Sequence, residues 1–163
     1  MSNPDFQAMR RAMVESQLRT NAVNDPRVTA AIEAVAREAF VPAERRTTAY
    51  IDRAVPLSAG RAMNPPLATA RLIVEAGIGP SDKVLIVGAA NGYAAAVVAS
   101  LAASVVALES DAGLVAQRFL DRLTEHDAHV LHGVVVVDVG VAGGLDLDVD
   151  QRVTGEERQH VVE

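Results

Sequence analysis

Two aliphatic stretches, separated by a turn with glycines and a run of alanines, constrain this chain's fold more than anything else in it. Lys83–Val84–Leu85–Ile86–Val87 runs into Gly88–Ala89–Ala90–Asn91–Gly92–Tyr93, and Val105–Val106–Ala107–Leu108–Glu109 follows. The order reads as strand, tight turn, small-residue helix, second strand, acid. Gly88 and Gly92 let the backbone turn sharply and leave room for a ligand beside it. Glu109 stands 21 positions after Gly88, close to the roughly 20 at which an acid closes a unit of this kind. A carboxylate there can accept hydrogen bonds from both ribose hydroxyls, so the segment reads as a nucleotide-type cofactor site.

The 163 residues suffice for one domain with a core of its own. Half are apolar, yet no run is long and apolar enough to cross a bilayer. The opening Met1–Ser2–Asn3–Pro4–Asp5 lacks the charged start and apolar stretch of a secretory signal. Cysteine is absent, which excludes disulfides and thiolate metal sites. The expectation is a cytoplasmic monomer with no membrane partner. A net charge of −6 with only five aromatics argues against nucleic acid as the main partner, because phosphate binding wants cations and base stacking wants rings.

Upstream of the glycine turn the periodicity is helical. Phe6, Met9, Met13, Val14, Gln17 and Leu18 share one face of a helix from residue 5 to about 20. Asp25–Pro26 opens a second helix as cap and first residue; Val28, Ile32, Val35 and Ala39 form its stripe, and Pro42 ends it. Tyr50 to Pro56 reads as extended or turn. Asn64–Pro65 opens a third helix in the same manner, with Asn64 as cap, running through Leu67 and Leu72 to Gly77. Gly79–Pro80–Ser81–Asp82 is a turn. Asp111 caps a further helix with Leu114, Val115, Phe119 and Leu123 inward. Strand alternating with helix over 83–125 implies a parallel sheet covered by helices.

Six segments in register carry a family resemblance: Gln17–Leu18–Arg19, Asp25–Pro26–Arg27–Val28, Arg37–Glu38–Ala39–Phe40–Val41–Pro42, Ala49–Tyr50–Ile51–Asp52, Pro56–Leu57 and Gly60. With the glycine turn, Tyr93, Ala94–Ala95 and the run to Glu109, they resemble the first two thirds of the protein-L-isoaspartate O-methyltransferase family. The resemblance implies an α/β, Rossmann-like methyltransferase fold with N-terminal helices and S-adenosylmethionine as cofactor. The implied partners are isoaspartyl-containing peptides or proteins, methylated on their free carboxylate in protein repair. It implies that Gly88, Ala90 and Gly92 line the cofactor and that Glu109 holds its ribose. The family's substrate loop falls on Gly60–Arg61–Ala62–Met63–Asn64–Pro65–Pro66, with Asn64, the candidate catalytic residue, in place of a serine. Tyr50 and Asp52 come near the substrate entrance. The chemistry needs no general base, since a carboxylate is already a nucleophile; positioning alone supplies about 7–11 kcal/mol.

The sequence leaves the family pattern at three places: Ile86 replaces an acid two residues before Gly88, Ala90 replaces the turn's middle glycine, and Asn64–Pro65 replaces serine–glutamine. After about residue 124 the character changes without a linker, as a change of reading frame would produce. Valines crowd 134–141, aspartates alternate at Asp146, Asp148 and Asp150, and His126, His129, His132 and His160 all lie in this tail. The histidines lack a carboxylate or thiolate to complete a tetrahedral set, so no metal is expected. The division is 1–82 (helices and substrate loop), 83–125 (cofactor unit) and 126–163 (divergent tail), in one compact domain whose sheet is incomplete. The function expected is a methyltransferase. The alternative is a non-catalytic binding module derived from the same family. A nicotinamide-dependent oxidoreductase is disfavoured by the lack of a full G-x-G-x-x-G.

Overall fold

A computed structural model describes residues 4–57, 60–111, 113–114, 128–131 and 134–140. Helix α1, Phe6–Met13, is capped by Asp5, whose carboxylate accepts the Ala8 N–H at 2.9 Å. It widens into a π-helical stretch at Val14–Leu18 and closes in a 3-10 turn at Arg19–Asn21. Met13, Val14 and Leu18 are buried, so one face of this segment is core. Helix α2, Pro26–Ala34, starts as the sequence predicts: the Asp25 carboxylate accepts the N–H groups of Arg27 and Val28.

Its end corrects the sequence expectation. α2 stops at Ala34, and a separate 3-10 turn occupies Arg37–Phe40. Two long-range groups explain the break. Arg10 Nη1 donates to the Glu33 and Ala34 carbonyls, satisfying the orphan acceptors of a helix end. Arg37 must then turn inward, where it is fully buried. A second 3-10 segment, Ala43–Thr48, leads to a two-strand hairpin of β1, Val55–Pro56, and β2, Ala62–Met63.

Helix α3, Pro66–Ala76, ends at Gly77 in the left-handed region, φ 61°. The 79–82 turn follows, with Asp82 N–H on the Gly79 carbonyl. Strand β3, Lys83–Val87, helix α4, Tyr93–Val98, and strand β4, Ser104–Glu109, then form the predicted unit. β3 and β4 are parallel, with Val84 opposite Val105 and Val87 opposite Leu108.

The parallel sheet expected over 83–125 is thus present, and the strands beyond it pair antiparallel. β6, Val134–Gly140, pairs antiparallel to β4, and β5, Ala128–Leu131, pairs antiparallel to β6. The order is β3-β4-β6-β5, so β3 is an edge among the described residues and β4 is interior. A two-residue connection between β5 and β6 can join only antiparallel neighbours, which explains the mixed sheet. One apolar core runs from Met13 and Leu18 through Ile32, Val41 and Ala70 to Val97, Val105 and Ala107. It fixes the helices against the unit that carries the site.

Candidate functional site

The site forms where β3 turns into α4. Gly88 takes φ +73°, and the N–H groups of Gly88 and Ala89 both donate to the Leu108 carbonyl at 2.9 Å. The end of β3 is thereby stitched to β4. Ala90 sits at φ +53°, a left-handed conformation that costs a side-chain-bearing residue about 1–2 kcal/mol. Gly92, φ +84°, starts α4. The resulting bend leaves the Ala90 N–H pointing at the end of β4.

Glu109 receives it. The carboxylate is 2% exposed, and its Oε2 accepts the Ala90 N–H at 2.6 Å. Its Oε1 accepts the N–H groups of Ser110 and Asp111 at 2.9 and 3.0 Å. Arg61 completes the set, with Nη1 on Oε1 at 3.0 Å and Nη2 on Oε2 at 2.8 Å. Burial pushes the Glu109 carboxyl up, but the Asp111 N–H, the Arg61 guanidinium and the Ala90 N–H outweigh it and hold the group below its ordinary value.

A groove of about 390 Å³ runs between α3 and β3 and reaches the bend. Asn64, Leu72, Ile86, Gly88 and Ala90 are among the residues that line it, whereas Gly92, Glu109 and Arg61 are not. The structure thus brings Asn64, Gly88 and Ala90 to one hollow and leaves Glu109 across the bend, paired with Arg61. Asn64 is exposed and is not the helix cap that the sequence suggested. α3 begins one residue later, after Pro65, and the Asp52 carboxylate accepts the Leu67 N–H at 3.1 Å. Asp52, fifteen residues upstream, reaches the orphan donor that Asn64 was expected to satisfy.

The Asn64 backbone is nevertheless held firmly. Its carbonyl accepts Arg37 Nη2 at 2.6 Å, while Arg37 Nε donates to the Ala49 carbonyl at 2.7 Å. The Arg37 guanidinium lies 4.7 Å from the centre of the Tyr93 ring. Burial pulls the Arg37 pKa below its ordinary value, against the opposing influence of Tyr93. Tyr93 also packs edge-on to Phe40, and Asn91 donates to the Phe40 carbonyl. The first residues of α4 are therefore anchored in the core.

Tyr50 belongs to the core rather than to an entrance. It is 4% exposed, accepts Arg10 Nε at 3.1 Å and donates to Glu38. Burial and the Glu38 bond push its pKa up to about 12. Arg61 and Arg37 are the functional candidates that sequence reasoning missed. The only available signals were an arginine directly after the loop's Gly60 and another at the head of Arg37–Glu38–Ala39–Phe40–Val41–Pro42. Among the described residues, no group of acids and histidines could hold a metal ion; Asp146, Asp148, Asp150, His126, His132 and His160 lie outside them.

Comparison with known proteins gives the chain's family. The profile of the family described as protein-L-isoaspartate(D-aspartate) O-methyltransferase matches residues 8–147. The chain belongs to this family. The match runs past residue 124, where the composition changes. A protein-L-isoaspartate O-methyltransferase of Methylorubrum populi is 42% identical over 107 residues, covering 66% of this chain and 50% of the relative. Protein-L-isoaspartate O-methyltransferase 2 of Marinobacter nauticus is 40% identical over 128 residues, covering 77% and 58%. The chain thus spans about half the length of the curated relatives it matches.

Two solved structures share the fold. One is described as a protein-L-isoaspartate O-methyltransferase of Plasmodium falciparum in complex with S-adenosyl-L-homocysteine. It superposes with a TM-score of 0.62 at 20% identity, over 72% of this chain and 59% of that one. A second protein-L-isoaspartate O-methyltransferase gives 0.59 at 23% identity, over 71% and 39%. The Rossmann-like methyltransferase fold is therefore this chain's fold, with a mixed sheet among its described strands.

Proposed function

We propose that this chain carries the cofactor and substrate-loop region of an S-adenosylmethionine-dependent protein-L-isoaspartate O-methyltransferase, acting in the cytoplasm as a monomer on isoaspartyl-containing peptides and proteins. One observation carries the proposal: the buried Glu109 carboxylate is aimed at the glycine bend, with the Ala90 N–H on it at 2.6 Å. An acid fixed in that place suits a ribose diol. Gly88 and Ala90 line the groove that reaches the bend, Gly92 starts α4 behind them, and Asn64 meets the substrate from the loop.

The residues present fit the cofactor on one condition. Glu109 already accepts from Arg61 on both oxygens, so a sugar must displace that guanidinium. When bound, S-adenosylmethionine supplies a sulfonium methyl to a carboxylate oxygen, the electron pair of the breaking carbon–sulfur bond returning to sulfur. The chain's part is to hold Glu109 ionised, to keep the loop at Asn64 in place through Arg37, and to leave the groove open.

Ile86 favours a second reading, a non-catalytic module of the same ancestry. It is an aliphatic side chain in the groove where an acid would add a hydrogen bond near the cofactor. Methyl transfer to an isoaspartyl peptide separates the two: turnover supports the enzyme, and peptide binding without turnover supports the module. Binding of S-adenosylmethionine is expected to be weak, and calorimetry giving a sub-micromolar Kd would contradict that.

A further inference from the structure

Glu109 is oversubscribed. A carboxylate offers about four lone-pair positions, and here six donors crowd them: the Ala90, Ser110 and Asp111 N–H groups, two Arg61 nitrogens and, at a long 3.5 Å, the Ser110 hydroxyl. The three backbone donors are fixed by the fold. Of the side-chain donors, the Ser110 hydroxyl is held only at 3.5 Å, and Arg61, which covers both oxygens, is the one whose departure opens the carboxylate. Its carbonyl stays pinned by the Leu57 N–H at 2.9 Å, yet its side chain is 36% exposed and can swing without moving the hairpin. Gly60, directly before it, is at φ +76° with open space around it. A Cβ built on Gly88 would meet Arg61 Nη2 at 3.7 Å, so the guanidinium stands against the bend itself.

The other arginines near the loop are committed. Arg37 is buried, with Nε on the Ala49 carbonyl and Nη2 on the Asn64 carbonyl, and Arg10 is tied to Glu38 and Tyr50. Arg61 does not line the groove while paired, but it lies three residues before Asn64, which does, so a freed guanidinium can turn toward it. There it is a cation looking for a carboxylate.

We propose that Arg61 is a cofactor-gated carboxylate receptor: closed on Glu109 in the free chain, displaced when the cofactor's sugar takes Glu109, and then paired with the free carboxylate of the isoaspartyl substrate. Pairing one substrate oxygen leaves the other as nucleophile. Binding is consequently ordered, cofactor before substrate. The inference rests on the methyltransferase reading above.

Calorimetry with S-adenosylhomocysteine tests the gate in wild type, Arg61→Gln and Arg61→Lys. Removing the competitor should tighten binding about tenfold in Arg61→Gln, with Arg61→Lys between, because the binding-competent fraction rises. The second arm titrates an isoaspartyl peptide and its carboxamide analogue onto protein saturated with S-adenosylhomocysteine. Wild type should prefer the carboxylate by about tenfold; Arg61→Gln should lose that preference and Arg61→Lys recover part of it. Equal cofactor affinity in all three proteins overturns the gate alone. A carboxylate preference undiminished in Arg61→Gln overturns the receptor. No S-adenosylhomocysteine binding by any of them overturns the methyltransferase reading, and the gate with it. Should Arg61→Gln fail to fold, Arg61→Lys decides: affinity equal to wild type overturns the gate, and several-fold tighter binding supports it.

Discussion

Strands β3 and β4 lie side by side in register and are both mostly aliphatic, yet the fold treats them differently. β4 is interior, with Val105, Ala107 and Glu109 buried in strict alternation. Among the described residues β3 is an edge, and Leu85 and Val87 stand exposed there, Val87 at 75%. The flanked strand can bury a carboxylate at its end, because neighbouring backbone donors and Arg61 satisfy it. The edge strand contributes shape rather than charge: it delivers the glycine bend and, at Ile86, an aliphatic wall. The buried polar network is thus concentrated at the end of the interior strand.

The contrast can be broken by mutation. Glu109→Ala should cost the most, about 3 kcal/mol in chemical denaturation, since it strands Arg61 and three backbone donors. The ion pair itself supplies the smaller part of that, because Arg61 is one-third exposed. A loss below about 1 kcal/mol would mean that Glu109 is not satisfied as described. Val105→Ala, in the interior strand, should cost about 2 kcal/mol. Val87→Ala, its counterpart in the edge strand, should stay within about 0.5 kcal/mol. Similar losses for the two would erase the distinction.

At the bend, Ala90→Gly should gain about 1 kcal/mol by relieving the left-handed alanine. A loss there would show that the Ala90 methyl packs usefully.

Acid should reveal the same asymmetry. The folded pKa of Glu109 lies below its ordinary 4.5. The stabilisation is therefore complete above 4.5 and is lost as pH falls through the depressed folded value. Denaturation midpoints of wild type should fall more steeply below about pH 4.5 than those of Glu109→Gln. Parallel curves would contradict the account.

What the sequence made legible was local. Asp25 and Pro26 start a helix, Gly77 stops one, and glycines at 88 and 92 bend the chain, each through interactions spanning a few residues. Glu109 was legible because the strand–turn–helix–strand unit fixes its distance from the bend. The failures were all long-range. α2 stops early because Arg10, over twenty residues away in sequence, takes its last carbonyls. Asn64 is not a cap because Asp52 reaches the helix first. The Arg61–Glu109 pair closes across 48 positions, and no spacing rule connects a loop arginine to a strand-end acid. The direction of β6 against β4 had no reading in the sequence, because the valine run carries no sign of strand direction.

The central claim is that the acid ending β4 is a sugar-binding group at the glycine bend. A structure of the chain with S-adenosylhomocysteine tests it most directly. The account predicts the Glu109 carboxylate within hydrogen-bonding distance of both ribose hydroxyls, with Arg61 swung clear. The ligand's adenosine bound elsewhere, with Arg61 still paired to Glu109, would contradict it.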